Sequence, residues 1–298
     1  MPRDLRLLPK AHLHIHLDGA LRASTLAELS SRSGFRAPTP SSFGSFSAFT
    51  DTITAAAKCL QTADDVHRVL GEICEDAASS GAVWMEISFW PGLFDGRLGT
   101  DFDAVDMVAE SARRASHDHD VGIGLIVAAN RDHGPEEALR IAKLAATHSA
   151  GEITGFGLDG DESRHPPGPF ADSFAVARAA GLKAVPHAGE LLGPQSVAVA
   201  VDVLGADRIM HGVRCVEDPA LVARLAASNV VLDICPTSNV LLSVAPSLEQ
   251  HPLPALLEAG VACSSAMFRS PASLRRRSPP RRRRIYSGRQ HSKTSKGG

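Results

Sequence analysis

An α/β fold of the (β/α)8 TIM-barrel type is predicted by three observations. Eight short apolar runs have strand-like content, amphipathic helical stretches separate them, and 298 residues suffice for one such barrel. The runs are Ala11–Leu17, Ala82–Trp90, Val121–Ala129, Ile153–Leu158, Lys183–His187, Arg208–Val213, Val230–Ile234 and Val261–Ser264. Strict alternation of strand and helix through short links implies a parallel sheet, and eight units imply closure. A doubly wound open sheet is the structural alternative.

The intervening helices carry their own signals. Between Thr62 and Ser80, Val66, Val69, Leu70, Ile73 and Ala77 fall on one face. Thr62 is placed to cap this helix, and Asp64 and Asp65 sit in its first turn, where the helix dipole favours negative charge. Pro135 suits the first turn of a helix running from Glu136 to Thr147. Two regions break the rhythm. Residues 33–61 form a long insertion containing Phe35, Phe43, Phe46 and Phe49. After strand one it would lie over the barrel mouth, so it reads either as a substrate lid or as a local helical cap whose phenylalanines fill core. From Arg269 the chain turns rich in Ser, Pro and Arg without hydrophobic period, and a disordered tail is expected there. The expected division is thus a barrel over residues 1–268 and a basic tail over 269–298.

Charge separates the same two parts. Eleven of the 31 Lys and Arg residues and none of the 33 acidic ones lie beyond Phe268. In residues 1–268, 20 basic groups therefore face 33 acidic ones, a formal charge of −13 hidden within an overall −2. The hydrophobic share of 44% and charged share of 21% describe a soluble globular chain. No apolar segment approaches the length of about 18 residues that a membrane span needs, and Arg3, Asp4 and Arg6 lead into no signal-like core. Five scattered cysteines without C-x-x-C spacing indicate neither a disulfide framework nor a cysteine-based zinc site. A cytoplasmic location follows as an expectation, with no membrane partner and no specific nucleic acid. The arginine tail would attract phosphate backbones only nonspecifically.

Candidate chemistry gathers at strand ends. In the first run His12, His14 and His16 alternate, so a regular strand places all three on one face, with Asp18 and Gly19 at its exit. Two such imidazoles suit a borderline-soft divalent ion such as zinc, although a polar strand end would also account for a lone H-x-H. His187 and Glu190 end the fifth run, and His211 ends the sixth. A parallel barrel brings these carboxyl ends to one mouth. Gly189 and Gly212 would permit close backbone approach there.

Taken in order, five segments resemble the signatures of adenosine and adenine deaminases, a family of metal-dependent (β/α)8 hydrolases. They are Leu8 to Gly19 (LPKAHLHIHLDG), Leu158 to Glu162 (LDGDE), His187-Ala188-Gly189-Glu190, His211-Gly212 and Cys235 to Asn239 (CPTSN). The resemblance spans residues 8–264. It implies hydrolytic deamination of a 6-aminopurine nucleoside or related compound, giving an inosine-like product and ammonia. Carried over by position, it implies that His14, His16 and His187 bind Zn2+. Asp18 and Gly160 would contact the substrate, with His16 beside it. Glu190 would donate a proton to the purine ring nitrogen, and His211 would orient or deprotonate the attacking hydroxide. The H-x-E with P-C-x-x-C signature of deaminases acting on flipped bases is absent. Adenosine, adenine and 6-aminodeoxyfutalosine deaminases share these segments, so discrimination is expected from residues 33–61 and from Ser88 to Gly99.

The pattern fails at the eighth strand. Family members end it with an Asp-Asp pair that completes the metal site and holds substrate, whereas this chain reads Gly260-Val261-Ala262-Cys263-Ser264-Ser265-Ala266-Met267-Phe268. Its last Asp is Asp233 and its last Glu is Glu258. Met267-Phe268 resembles the family's residues just after the missing pair, and the family's final helices are not recognisable. The expectation is an incomplete or diverged last strand, lost or frameshifted C-terminal sequence, and impaired catalysis. The alternative is a non-catalytic barrel remnant that binds nucleosides or nucleic acid. His12 also departs from the family, which more often has an acidic residue there, and is expected in a supporting or core position.

Overall fold

In the computed structural model, residues 8–36, 43 and 45–265 are described. Eight strands lie in the sequential order β1 to β8, with every neighbouring pair parallel. They are β1 (Lys10–His16), β2 (Ala82–Phe89), β3 (Gly122–Asn130), β4 (Ile153–Asp159), β5 (Lys183–Ala188), β6 (Arg208–His211), β7 (Val231–Ile234) and β8 (Cys263–Ser265). The fold is a nearly closed (β/α)8 barrel, not the open alternative. β1 lies against both β7 and β8, but no hydrogen-bonded ladder joins β1 to β8 among the described residues. The expected tail, residues 269–298, lies outside the described residues.

Ten α-helices accompany the strands among the described residues. They are α1 (Ala23–Ser33), α2 (Phe46–Ala57), α3 (Ala63–Ser79), α4 (Asp101–His119), α5 (Gly134–Thr147), α6 (Ala171–Ala179), α7 (Pro194–Asp202), α8 (Pro219–Ala226), α9 (Pro236–Leu241) and α10 (Leu253–Glu258). The Thr62 hydroxyl accepts from the Asp65 N–H while the Asp65 carboxylate accepts from the Thr62 N–H, a reciprocal cap that starts α3. Pro135 lies in the first turn of α5. The apolar face of α3 is buried as its periodicity requires, through Val66, Val69, Leu70, Ile73 and Ala77. α2 is the ordered part of the 33–61 insertion; residues 37–42 and 44 lie outside the described ones.

The regular alternation expected for β1 is overturned. The three steps from His12 to Ile15 oppose the two steps from Met85 to Ile87 on β2, so the strand bulges by one residue. His14 absorbs the extra residue in the left-handed region at φ 61°, a conformation that costs a non-glycine residue about 1–2 kcal/mol. The consequence is that His12 does not share the face of His14 and His16. Its ring instead meets the Ser80 hydroxyl at the end of α3, 3.2 Å away.

Inside the barrel, a small apolar layer of Ile126, Val185 and Met210 is followed by an ionic layer. Arg208 on β6 reaches across to Glu86 on β2 (Nη1 to Oε1 3.2 Å) and bonds Asp233 on β7 through Nε at 2.9 Å. The Ser264 hydroxyl of β8 donates to the other Asp233 oxygen at 2.6 Å. One guanidinium thus joins opposite walls, and the fully buried Asp233 ties in the short last strand. Arg208→Leu leaves two buried carboxylates without their cation and is expected to lower unfolding stability by about 3–5 kcal/mol at pH 7. Burial raises the Asp233 carboxyl even beside Arg208, so urea denaturation should show this loss shrinking as pH falls from 7 toward about 4; an unchanged midpoint would contradict a bridging role for Arg208.

Candidate active site

All seven residues expected at the site line one cavity of about 390 Å³: His14, His16, Asp18, Gly160, His187, Glu190 and His211. The parallel barrel brings them there from the ends of β1, β4, β5 and β6. Phe46, Phe49, Thr50, Ile53, Thr54 and Lys58 of the insertion complete the wall, with Trp90, Gly92, Leu93 and Asp95 from the segment after β2.

The histidine tautomers follow from their outer partners. His14 Nδ1 lies 2.9 Å from the Asp233 carbonyl, and His187 Nδ1 lies 3.1 Å from the Leu158 carbonyl. A carbonyl only accepts, so each Nδ1 carries the hydrogen and each Nε2 is left with a bare lone pair. The Asp159 charge favours hydrogen on the same side, its Oδ1 3.0 Å from His187 Nδ1 though not aligned for a hydrogen bond and its Oδ2 3.8 Å from His16 Nδ1. Yet His14 Nε2 and His187 Nε2 stand 3.0 Å apart, and His16 Nε2 is 3.2 Å from His187 Nε2. Bare lone pairs at that separation repel unless a cation lies between them. Two nitrogens each about 2.0–2.1 Å from a tetrahedral zinc are separated by about 3.4 Å. The donor set therefore fits a divalent metal. Burial and the neighbouring rings hold His14 far below the ordinary imidazole range, and burial lowers His187 as well, so both rings are neutral.

Cys235 makes a second grouping with His14 and His211. Its sulfur is 3.3 Å from His14 Nδ1, on the side of the ring turned away from the Nε2 cluster. Burial pushes the thiol far above its usual range, so it stands protonated beside the ring.

Glu190 owes its position to another carboxylate. Glu162 accepts the backbone N–H groups of Gly189 (2.6 Å), Glu190 (3.1 Å), Leu191 (2.7 Å) and Leu192 (3.0 Å), and the Ser196 hydroxyl. This clamp fixes the loop leading into α7. Burial first, then the nearby Glu162, pushes the Glu190 carboxyl up to about 8, against a smaller opposing effect of Arg131. Its Oε1 is buried without a hydrogen-bond partner among the described residues, 3.2 Å from His211 Nε2 but poorly aligned with it. Asp18 is raised to about 6, chiefly by burial. Arg131, fully buried, donates to the carbonyls of His187 (2.7 Å) and His165 (2.8 Å), and more weakly to Leu158 and Asp159, stitching β4 to β5 beneath the site.

Close backbone approach occurs where glycines were expected to permit it. Gly189 and Gly212 both have positive φ, and a Cβ on Gly189 would lie 3.3 Å from Gly212 Cα and 2.3 Å from a Val197 methyl. Sequence reasoning assigned no role to Asp159, Glu162 or Asn239, although all three stand in recognised segments. It missed Arg131 and His251 altogether, because neither belongs to a motif and their partners are backbone groups or distant side chains.

The family model for adenosine deaminase matches residues 9–266. The chain belongs to the adenosine deaminase family. Among its relatives, a putative adenosine/adenine deaminase of Streptomyces virginiae is 41% identical over 87% of this chain and 80% of its own length. An adenine deaminase of Cupriavidus necator is 37% identical, over 88% of this chain and 76% of its own. Among solved structures, adenine deaminase from Arthrobacter aurescens superposes with a TM-score of 0.81 at 33% identity, covering 89% of this chain and 83% of that one. An amidohydrolase from Burkholderia ambifaria, solved with bound zinc, gives 0.79 at 29% identity, covering 90% of this chain and 79% of that one. As in any family member of this fold, the chemistry has to be read at the strand ends. Among the described residues no helix is long and apolar enough to cross a membrane.

Charged hydrogen bonds contribute about 1.5–3 kcal/mol each, so Glu162→Gln, which sets an amide against four N–H donors, should loosen the 189–192 loop. Amide hydrogen exchange at these residues is expected to accelerate at least about tenfold; unaltered exchange would show that the clamp does not hold the loop.

Proposed function

We propose that this chain is a zinc-dependent aminohydrolase acting on a 6-aminopurine that carries no phosphate, adenine or its nucleoside, with slow turnover. The observation that carries this reading is a carboxylic acid, Glu190, held beside three converging imidazole Nε2 atoms in a single cavity.

His14, His16 and His187 would hold the metal, with Asp159 and the Asp233 and Leu158 carbonyls keeping the two innermost rings in the ligating tautomer. Bound zinc supplies Lewis acidity that can bring the ionisation of water from 15.7 to about 7. Glu190, protonated at neutral pH, gives its proton to the ring nitrogen beside the reacting carbon, which makes the amine-bearing carbon open to attack. His211 faces the same space and holds the attacking oxygen, whose proton passes to the amine as the C–N bond breaks and ammonia leaves. Asp18 and the backbone at Gly160 bind the purine edge. α2 serves as the substrate lid, a role supported by its Phe46, Phe49 and Ile53 lining the cavity. Among the described lining residues, Asp18, Asp95, Asp132, Asp159 and Glu190 stand against Lys58 as the single Lys or Arg, a balance that disfavours a phosphorylated substrate.

Slow turnover follows from the sequence beyond β7. With no Asp after Asp233 and no Glu after Glu258, the carboxylate that family members place after strand eight is missing. One metal donor and one proton acceptor go with it, a loss that reduces metal retention and rate together.

Incubated with zinc, the full chain should release ammonia from adenine or adenosine with kcat below about 1 s−1, under the usual enzyme range, and none from adenosine monophosphate. Equal turnover of the monophosphate would overturn the phosphate-free assignment, and binding without ammonia release would favour a non-catalytic barrel. Because the protonated form of Glu190 is the active one, kcat/KM should fall as pH rises through about 8, and Glu190→Gln should lower it by at least about 10²-fold.

A further inference from the structure

A chain of buried polar groups runs from the backbone at α10 to His211. The Leu253 N–H donates to His251 Nδ1 at 3.0 Å, His251 Nε2 meets Asn239 Oδ1 at 3.1 Å, and Asn239 Nδ2 meets His211 Nδ1 at 3.1 Å. Asn239 is fully buried, and His251 and His211 are nearly so.

Every assignment along this chain follows from its first donor. A backbone N–H cannot change role, so His251 Nδ1 must accept, and the hydrogen of this ring sits on Nε2. That hydrogen requires an acceptor, which orients the Asn239 amide with Oδ1 toward His251. The Nδ2 hydrogens of Asn239 then face His211 Nδ1, which can only accept. A hydrogen on His211 Nδ1 would meet an amide hydrogen head-on, so the ring carries it on Nε2, the atom turned toward the cavity and Glu190.

We propose that Asn239 and His251 are positioning residues that lock His211 as the Nε2–H tautomer, so that His211 presents a hydrogen-bond donor, not a lone pair, to the reacting end of the cavity. The inference deepens the proposed function and rests on it only for what His211 faces during turnover. Of the two roles that the family resemblance left to His211, orienting or deprotonating, the relay selects the first. The donor holds the attacking oxygen with a lone pair turned toward the substrate. Asn239 touches no reacting atom and acts through His211 alone.

Ring-nitrogen NMR of the 15N-histidine-labelled full chain, with zinc and without it, tests this directly, His211 being assigned by the signals lost in His211→Gln. The expected spectrum shows an acceptor-type Nδ1 and a hydrogen-bearing Nε2 for His211. Asn239→Asp, which puts a carboxylate oxygen opposite Nδ1, should invert the two, while His251→Gln, whose amide can still donate to Asn239 Oδ1, should retain the wild-type pattern. Hydrogen on Nδ1 in the unaltered protein, or no inversion in a folded Asn239→Asp, would overturn the proposal. The wild-type and His251→Gln spectra decide it even if Asn239→Asp does not fold. In turnover, Asn239→Asp should lower kcat by roughly 10–100-fold with KM within about threefold. The expected tautomers in a chain that releases no ammonia would count against the proposed function and leave the relay standing.

Discussion

His14 and His187 are held from behind by carbonyl oxygens that can only accept, so their Nε2 lone pairs are driven together at 3.0 Å. Without a cation this is a repulsive arrangement in a buried place, and proteins retain such arrangements where function supplies the missing charge. Much of the surrounding structure serves to maintain it. The bulge at His14 turns two closely spaced residues of one strand toward one point, at the expense of a left-handed conformation on a non-glycine residue. Asp233 contributes twice, its carbonyl fixing the His14 ring and its carboxylate anchoring Arg208 and Ser264.

Around this centre, carboxylates are sorted by what they touch. Glu162 is saturated by backbone N–H groups and shapes the loop, whereas Glu190, without a partner on Oε1 among the described residues, is kept as an acid chiefly by its burial. Asp159 goes the other way: burial alone would raise it, but His16 and His187 hold it below the usual carboxylate range. One small region thus contains an acid, an anion and neutral imidazoles, each set by its neighbours.

The barrel was legible in the sequence because alternating strand and helix periodicity survives in single residues. The eight apolar runs match the eight strands to within three residues at their ends, and Thr62 and Pro135 mark helix starts by local chemistry alone. The seven residues expected at the site come from motifs at strand ends, and parallel topology brings them to one cavity. The bulge in β1 was not legible, since H-x-H-x-H reads as regular alternation and only pairing with β2 reveals the extra residue. Arg131 and His251 were hidden for a related reason. Their roles lie in carbonyls and amides far away in sequence, which carry no residue-specific signal.

The converging imidazoles make zinc uptake the central claim, prior to any question of turnover. The most direct test is zinc stoichiometry of the metal-free full chain after equilibration with zinc and gel filtration at pH 7.5, compared with His187→Ala folded to the same circular dichroism spectrum. The account predicts one zinc per chain in the unaltered protein and loss of it in the variant. Equal zinc retention in both, or none in the unaltered chain, would contradict it.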